Sequence, residues 1–173
     1  MKNNPAPPPK SSALKQRVVA MVVIVVVALA GSMMFLLKAT NHKGELQMAI
    51  QSRDHAGLEK LLKDHPGLVE AELPHRGPKD TWSPLHLAAC SGDAESIEIL
   101  TRHRARVTAR DANGLTPLHY TVSLSHYDSA QMLINHGADI NAKGRDGRTP
   151  LDLAKNLRDQ KLIEMFRIRG AKE

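Results

Sequence analysis

Ser83-Pro84-Leu85-His86, Thr116-Pro117-Leu118-His119 and Thr149-Pro150-Leu151-Asp152 open three stretches of this chain, with their prolines 33 residues apart both times. Twenty positions after each proline stands a pair ending in alanine: Arg104-Ala105, Gly137-Ala138 and Gly170-Ala171. A fixed step of this length marks a stacked repeat, in which no unit can bury its own apolar face and neighbours share one core. Function is then expected on a surface built across several units.

Each unit also spells out its local structure. Ser83, Thr116 and Thr149 suit a helix N-cap, where a hydroxyl accepts from a free N–H of the first turn. Proline fits the next position because the N–H it lacks would have no partner there. Short apolar helices follow at residues 85–89, 118–122 and 151–154, with Ala88 and Ala154 small enough to let neighbours approach closely. Ile97, Ile99 and Leu100, then Ala130, Met132 and Leu133, then Leu162, Ile163 and Phe166 mark a second helix in each unit. That helix stops at Gly137 and Gly170, which enter the left-handed region at little cost. Arg104 holds the same place in the first full unit, at a cost of about 1 kcal/mol. Between units, Asp111-Ala112-Asn113-Gly114 and Arg145-Asp146-Gly147 have the chemistry of tight hairpin turns.

The runs TPLHY from Thr116, INHGADINA from Ile134 and DGRTPLDLA from Asp146 resemble the ankyrin repeat, a β-turn followed by two antiparallel helices. The resemblance covers residues 78–171. It implies an all-α ankyrin solenoid of about four helix-turn-helix units with hairpin connections, at 45–80, 81–113, 114–146 and 147–171. The first unit is degenerate. Leu46-Gln47-Met48-Ala49-Ile50 aligns with residues 85–89 at an offset of 39, which places six extra residues in a proline-rich loop from Pro66 to Asp80. We read it as an N-terminal cap, and Glu164, Arg167 and Arg169 as polar dressing of the last helix.

The resemblance also implies where a protein partner would be held, on the hairpin tips and the exposed side of the first helices. Those positions are Lys79, Asp80 and Trp82; Ala112, Asn113 and Leu115; Arg145, Asp146 and Arg148; with Cys90, Ser91, Ser123, Leu124, Asn156 and Leu157 behind them. Trp82 and Arg148 are of the types that most often dominate binding. In this family the histidine of the motif ties neighbouring loops together, which accounts for His86 and His119. His103 and His136 share a place just before the helix end, where exposed histidines are favoured by the helix dipole.

Catalysis is not expected: no H-E-x-x-H, paired-carboxylate or nucleophile-elbow pattern occurs, and no metal or cofactor is implied. A single cysteine, Cys90, makes neither an internal disulfide nor a cysteine zinc site. It is expected to be an inert thiol, with a redox-linked accessory role as the alternative. The run Arg102, Arg104, Arg106 and Arg110 is read as a solvated helix edge, with an anionic partner as the alternative.

The rest of the chain differs in kind. Residues 1–17 hold Lys2, Lys10, Lys15 and Arg17, no acid and four prolines, and are expected to be a disordered leader. Residues 18–37 carry no charge, and twenty residues at the helical rise span about 30 Å, the thickness of a bilayer's hydrocarbon core. A single-pass transmembrane helix is expected there, followed by a linker at 38–44. Cleavage as a signal peptide after Ala28-Leu29-Ala30 is the alternative, although the apolar run continues past that site. The basic leader is expected to put the N-terminus in the cytoplasm and the repeats on the far side, a periplasmic or other extracytoplasmic location, with a cytosol-facing scaffold as the alternative. Residues 38–173 hold 20 of the 24 basic side chains and all 18 acidic ones, so the net charge of +6 argues little for nucleic acid. Noncatalytic binding of one protein partner is the function expected, with a specific envelope inhibitor or chaperone as a narrower form of it.

Overall fold

The computed structural model describes residues 42–77 and 80–172, and every structural statement below concerns those residues. The expected leader at 1–17 and span at 18–37, and the linker at 38–44 up to residue 41, lie outside them. No helix among the described residues is long and apolar enough to cross a membrane.

Four helix pairs follow one another. Helix α1 occupies residues 42–52, and α2 runs His55–Asp64; the later pairs are α3 (Pro84–Ser91) with α4 (Ala94–Arg102), α5 (Pro117–Ser123) with α6 (Tyr127–Asn135), and α7 (Pro150–Leu157) with α8 (Gln160–Ile168). The first helices of successive pairs pack on one another, α3 on α5 and α5 on α7. The second helices form a parallel row, α2 on α4 and α4 on α6. One continuous apolar cluster runs from Leu46 and Ile50 through Leu85, Leu100, Leu118 and Leu133 to Leu151 and Phe166. This is the shared core that the 33-residue step requires.

The caps follow the residue types. Ser83, Thr116 and Thr149 are the N-caps of α3, α5 and α7, each followed by proline. In the first two, the third helical residue is a histidine whose Nδ1 accepts from the cap. Ser83 donates from its N–H and hydroxyl at 3.3 and 2.8 Å, and Thr116 does so at 3.1 and 2.9 Å. The acceptor role of Nδ1 leaves the proton on Nε2. His86 therefore donates to the Leu115 carbonyl at 3.1 Å, and His119 to the Arg148 carbonyl at 3.3 Å, each in the loop that opens the next unit. Asp152 completes the last cap differently, with one carboxylate oxygen accepting from the Thr149 N–H and hydroxyl, both at 2.9 Å. A carboxylate only accepts, so Asp152 has no proton with which to reach another loop as the two histidines do.

Turns, not strand pairs, connect the later units: Gly114 N–H donates to Asp111 O, and Arg145 N–H crosses to Asn113 O at 2.9 Å. The proline-rich segment after α2, expected to be a loop, holds regular structure at its described residues. A 3₁₀ turn at Pro66–Glu70 leads into an antiparallel hairpin of β1 (Leu73–Gly77) and β2 (Asp80–Trp82). Leu73 and Trp82 are paired across it and both buried, so the inserted residues add core rather than bare loop.

At the ends of the second helices, Gly137 and Gly170 take φ of 84° and 80°, and Arg104 takes 68° in the same place. Arginine carries the left-handed cost that glycine avoids, and its side chain is exposed. Arg104→Gly is expected to raise stability by about 1 kcal/mol, read as a higher thermal midpoint by circular dichroism.

Candidate functional site

The positions expected to hold a partner do not behave alike. Trp82 is the clearest correction: it is only 5% exposed, so it is not a free contact residue. The hairpin lays His75 flat on its indole at 3.5 Å between ring centroids, and Tyr120 meets it edge-on at 4.8 Å. An aromatic of this size contributes mainly through burial, here as the hinge between the hairpin and the repeats. Lys79 lies outside the described residues, and Asp80 is placed only as the first residue of β2.

Ala112 and Leu115 are half-buried, whereas Asn113 is exposed at the turn between the second and third units. Arg145, Asp146 and Arg148 are exposed at the next turn, where Asp146 accepts from Arg148 through its backbone N–H at 3.0 Å and its Nε at 2.7 Å. The Arg148 N–H beside it, then the Arg148 charge, hold the Asp146 carboxyl below the usual range. Arg148 is thus committed in part to shaping its own turn.

The row at the ends of the first helices is more open. Ser91 is half-buried, its hydroxyl donating to the Leu87 carbonyl at 2.9 Å. One and two units on, the same position is Leu124 at 47% exposure and Leu157 at 49%, with Ser123 and Asn156 exposed beside them. Two large aliphatic side chains half in water on adjacent units make an apolar step with polar edges. A surface of that composition suits association.

Other expectations shift. His103 is half-buried, not exposed: its Nε2 lies 3.3 Å from Glu59 Oε1, on the preceding unit. Exposed His136 lies 3.5 Å from Glu98 in the same way. Both histidines therefore bridge units. Three of the four arginines in the run have contacts within the chain. Arg102 lies 3.8 Å from Glu59, Arg106 lies 3.9 Å from Glu70, and Arg110 donates to the carbonyls of Gly114 and Lys143 at 2.6 and 2.7 Å. All four arginines of the run are exposed, so their charge still faces solvent. Cys90 is half-buried, and burial pushes its thiol up, away from the reactive thiolate.

Burial, partly offset by the bonds to the Leu115 and Arg148 carbonyls, pushes both His86 and His119 below the usual histidine pKa. The native state thus holds them neutral, while the unfolded chain binds protons near pH 6.5. Their contribution is complete above that pH and is lost as the pH falls through it. The stability advantage of the wild type over His119→Gln is expected to shrink between pH 7.5 and 5 in urea melts. An advantage that is constant or grows toward acid would contradict this.

The second helices begin with a further regularity that residue-type reasoning passed over. Their N-caps are Asp54, Asp93, His126 and Asp159. Each aspartate accepts from the backbone N–H three residues on: Gly57, Ser96 and Leu162 respectively. They also link units, because His55 Nε2 meets Asp93 at 2.9 Å and the Tyr127 hydroxyl donates to Asp159 at 2.7 Å. His126 makes no capping bond, and its Nε2 instead reaches back to the Cys90 carbonyl at 3.2 Å. Gly92 makes room for that ring: a Cβ there would come within 2.7 Å of it. The break in an Asp-x-x pattern at the 33-residue step is the signal in the sequence that marks it.

A model of the family described as ankyrin repeats (3 copies) matches residues 46–144, more than half of the chain. No curated protein matches the chain. Ankyrin repeats typically serve as noncatalytic modules that bind other proteins. With the stacked helix pairs, the histidine ties between units and this match together, the chain belongs to the ankyrin-repeat family.

Proposed function

We propose that this chain is a membrane-anchored ankyrin protein that holds one protein partner without catalysing a reaction on it. The observation that carries the partner surface is the apolar step of Leu124 and Leu157, flanked by Ser123 and Asn156 and by the exposed turn residues Asn113, Arg145 and Arg148. Half-exposed leucines in equivalent places on neighbouring units would cost less free energy under a partner than in water. The anchor rests on the uncharged run 18–37, and the basic leader favours a cytoplasmic N-terminus with the repeats on the extracytoplasmic side. Tethering raises the partner's effective concentration at the membrane, so a modest affinity would suffice.

Cross-linking in membranes of the source cell tests both halves. The wild type is expected to capture a partner that Leu124→Glu and Leu157→Glu lose by about tenfold, while Lys60→Glu on the second-helix side keeps it. Equal capture by all four chains would refute the surface. Extraction of the full-length chain by alkaline carbonate would refute the anchor, and a reporter fused after Glu173 decides the side.

A further inference from the structure

Ser96 and Ser129 occupy the same position in successive units, three residues into α4 and α6. At α4 the serine is fully served: its hydroxyl donates to Asp93 Oδ2 at 2.7 Å and its N–H to Oδ1 at 3.3 Å. One carboxylate therefore accepts both protons. At α6 the carboxylate is missing because the N-cap is His126, whose ring is turned to the Cys90 carbonyl. Ser129 keeps its place and is 1% exposed, yet its hydroxyl has no hydrogen-bond partner. A buried unpaired hydroxyl is unfavourable, so the position favours whatever ligand supplies an acceptor.

The surroundings suit an anion. A cavity of about 240 Å³ opens at this helix start, lined among others by His126, Tyr127, Asp128, Ser129 and Lys161. In the first turn of the nine-residue helix α6 the Tyr127 N–H is taken by the Ser125 carbonyl, while no side chain caps the N–H groups of Asp128 and Ser129, which line the cavity, and a helix N-terminus favours negative charge. Lys161 brings a full positive charge, its Nζ held 3.9 Å over the Tyr127 ring. Exposed Asp128 is the acid among the lining residues, and Lys161 offsets it. Asp159, the neighbouring carboxylate, is taken up by Ser125, Tyr127 and its own helix.

We propose that the start of α6 is a binding site for a carboxylate from outside this chain, which takes the place that Asp93 fills at α4 and accepts from the N–H and hydroxyl of Ser129. The carboxylate comes either from a small free acid or from an acidic side chain of a protein. This site stands apart from the apolar step proposed above, since its probes and its readout do not involve Leu124 or Leu157.

The test is an amide chemical-shift titration of the full-length ¹⁵N-labelled chain in non-ionic detergent. Sodium acetate and an end-blocked tetraglutamate peptide are the probes, each against sodium chloride at equal ionic strength. The expected result is a saturable shift of the Asp128 and Ser129 amides, weakened about tenfold or more in Ser129→Ala and in His126→Asp. Saturation by acetate at concentrations where the peptide has no effect assigns the site to small acids, and tighter saturation by the peptide assigns it to acidic side chains. Shifts no larger than those in chloride, or shifts unchanged in both variants, would overturn the site.

Discussion

Leu118→Ala is expected to destabilise the repeat domain by about 3–4 kcal/mol, a large share of the stability of a domain this size. Leu118 is 1% exposed in α5, the helix that packs against α3 on one side and α7 on the other. Removing three carbons there opens a void between units as well as within one, and the flanking helices are themselves too constrained by their caps to close it. Leu151 occupies the same position in α7 and is equally buried, but α7 has a neighbour in the first-helix row on only one side. Leu151→Ala should therefore cost about 1 kcal/mol less, because stability in a stack is divided between units and the interfaces they share. Urea denaturation followed by circular dichroism measures both. Equal losses at the two positions would show that the coupling between units is weaker than the continuous core implies.

Much of the stack was legible in the sequence because its signals are local. A hydroxyl followed by proline dictates a helix start, and a glycine twenty positions on dictates an end. Both act through backbone groups a few residues away, and both are found where the sequence places them. The turn residues around Asn113 and Asp146 were legible for the same reason. What misled was interaction at a distance. Trp82 has the right type and the right place for a contact residue. It is buried because His75, on the other strand of an inserted hairpin, stacks on it and Tyr120 from the next unit meets its edge. The six additional residues told of an insertion but not of its shape, since prolines commonly signal loops and here Pro74 lies in a strand and Pro66 in a 3₁₀ turn. His103 and His136 likewise depend on acids that lie 44 and 38 residues back in the chain. The unserved serine at α6 was legible in principle, as an aspartate missing from a periodic place. Recognising it required knowing that the neighbouring aspartates hold serine as well as backbone.

Asp93→Ala should cost about 2–3 kcal/mol, the sum of a lost N-cap and of two partners left without an acceptor. Asp93 is buried at the start of α4, where it accepts from Ser96 twice and from His55 Nε2 at 2.9 Å. Burial alone would raise its pKa, but the Ser96 hydroxyl and the His55 imidazole outweigh burial and hold it below the usual range. The carboxylate is thus the form the fold selects, and its contribution is present above the unfolded pKa near 4 and lost as the pH falls through the lower folded value. Asp93→Asn separates the terms. An amide oxygen can still cap α4 by accepting from the Ser96 N–H, while the NH2 that replaces the other oxygen accepts nothing and the charge opposite His55 is gone. About half the loss seen with alanine is expected for this amide variant, measured at pH 7 by urea denaturation. A full loss in the amide variant would mean that the carboxylate's bonds to the Ser96 hydroxyl and His55 matter more than the cap.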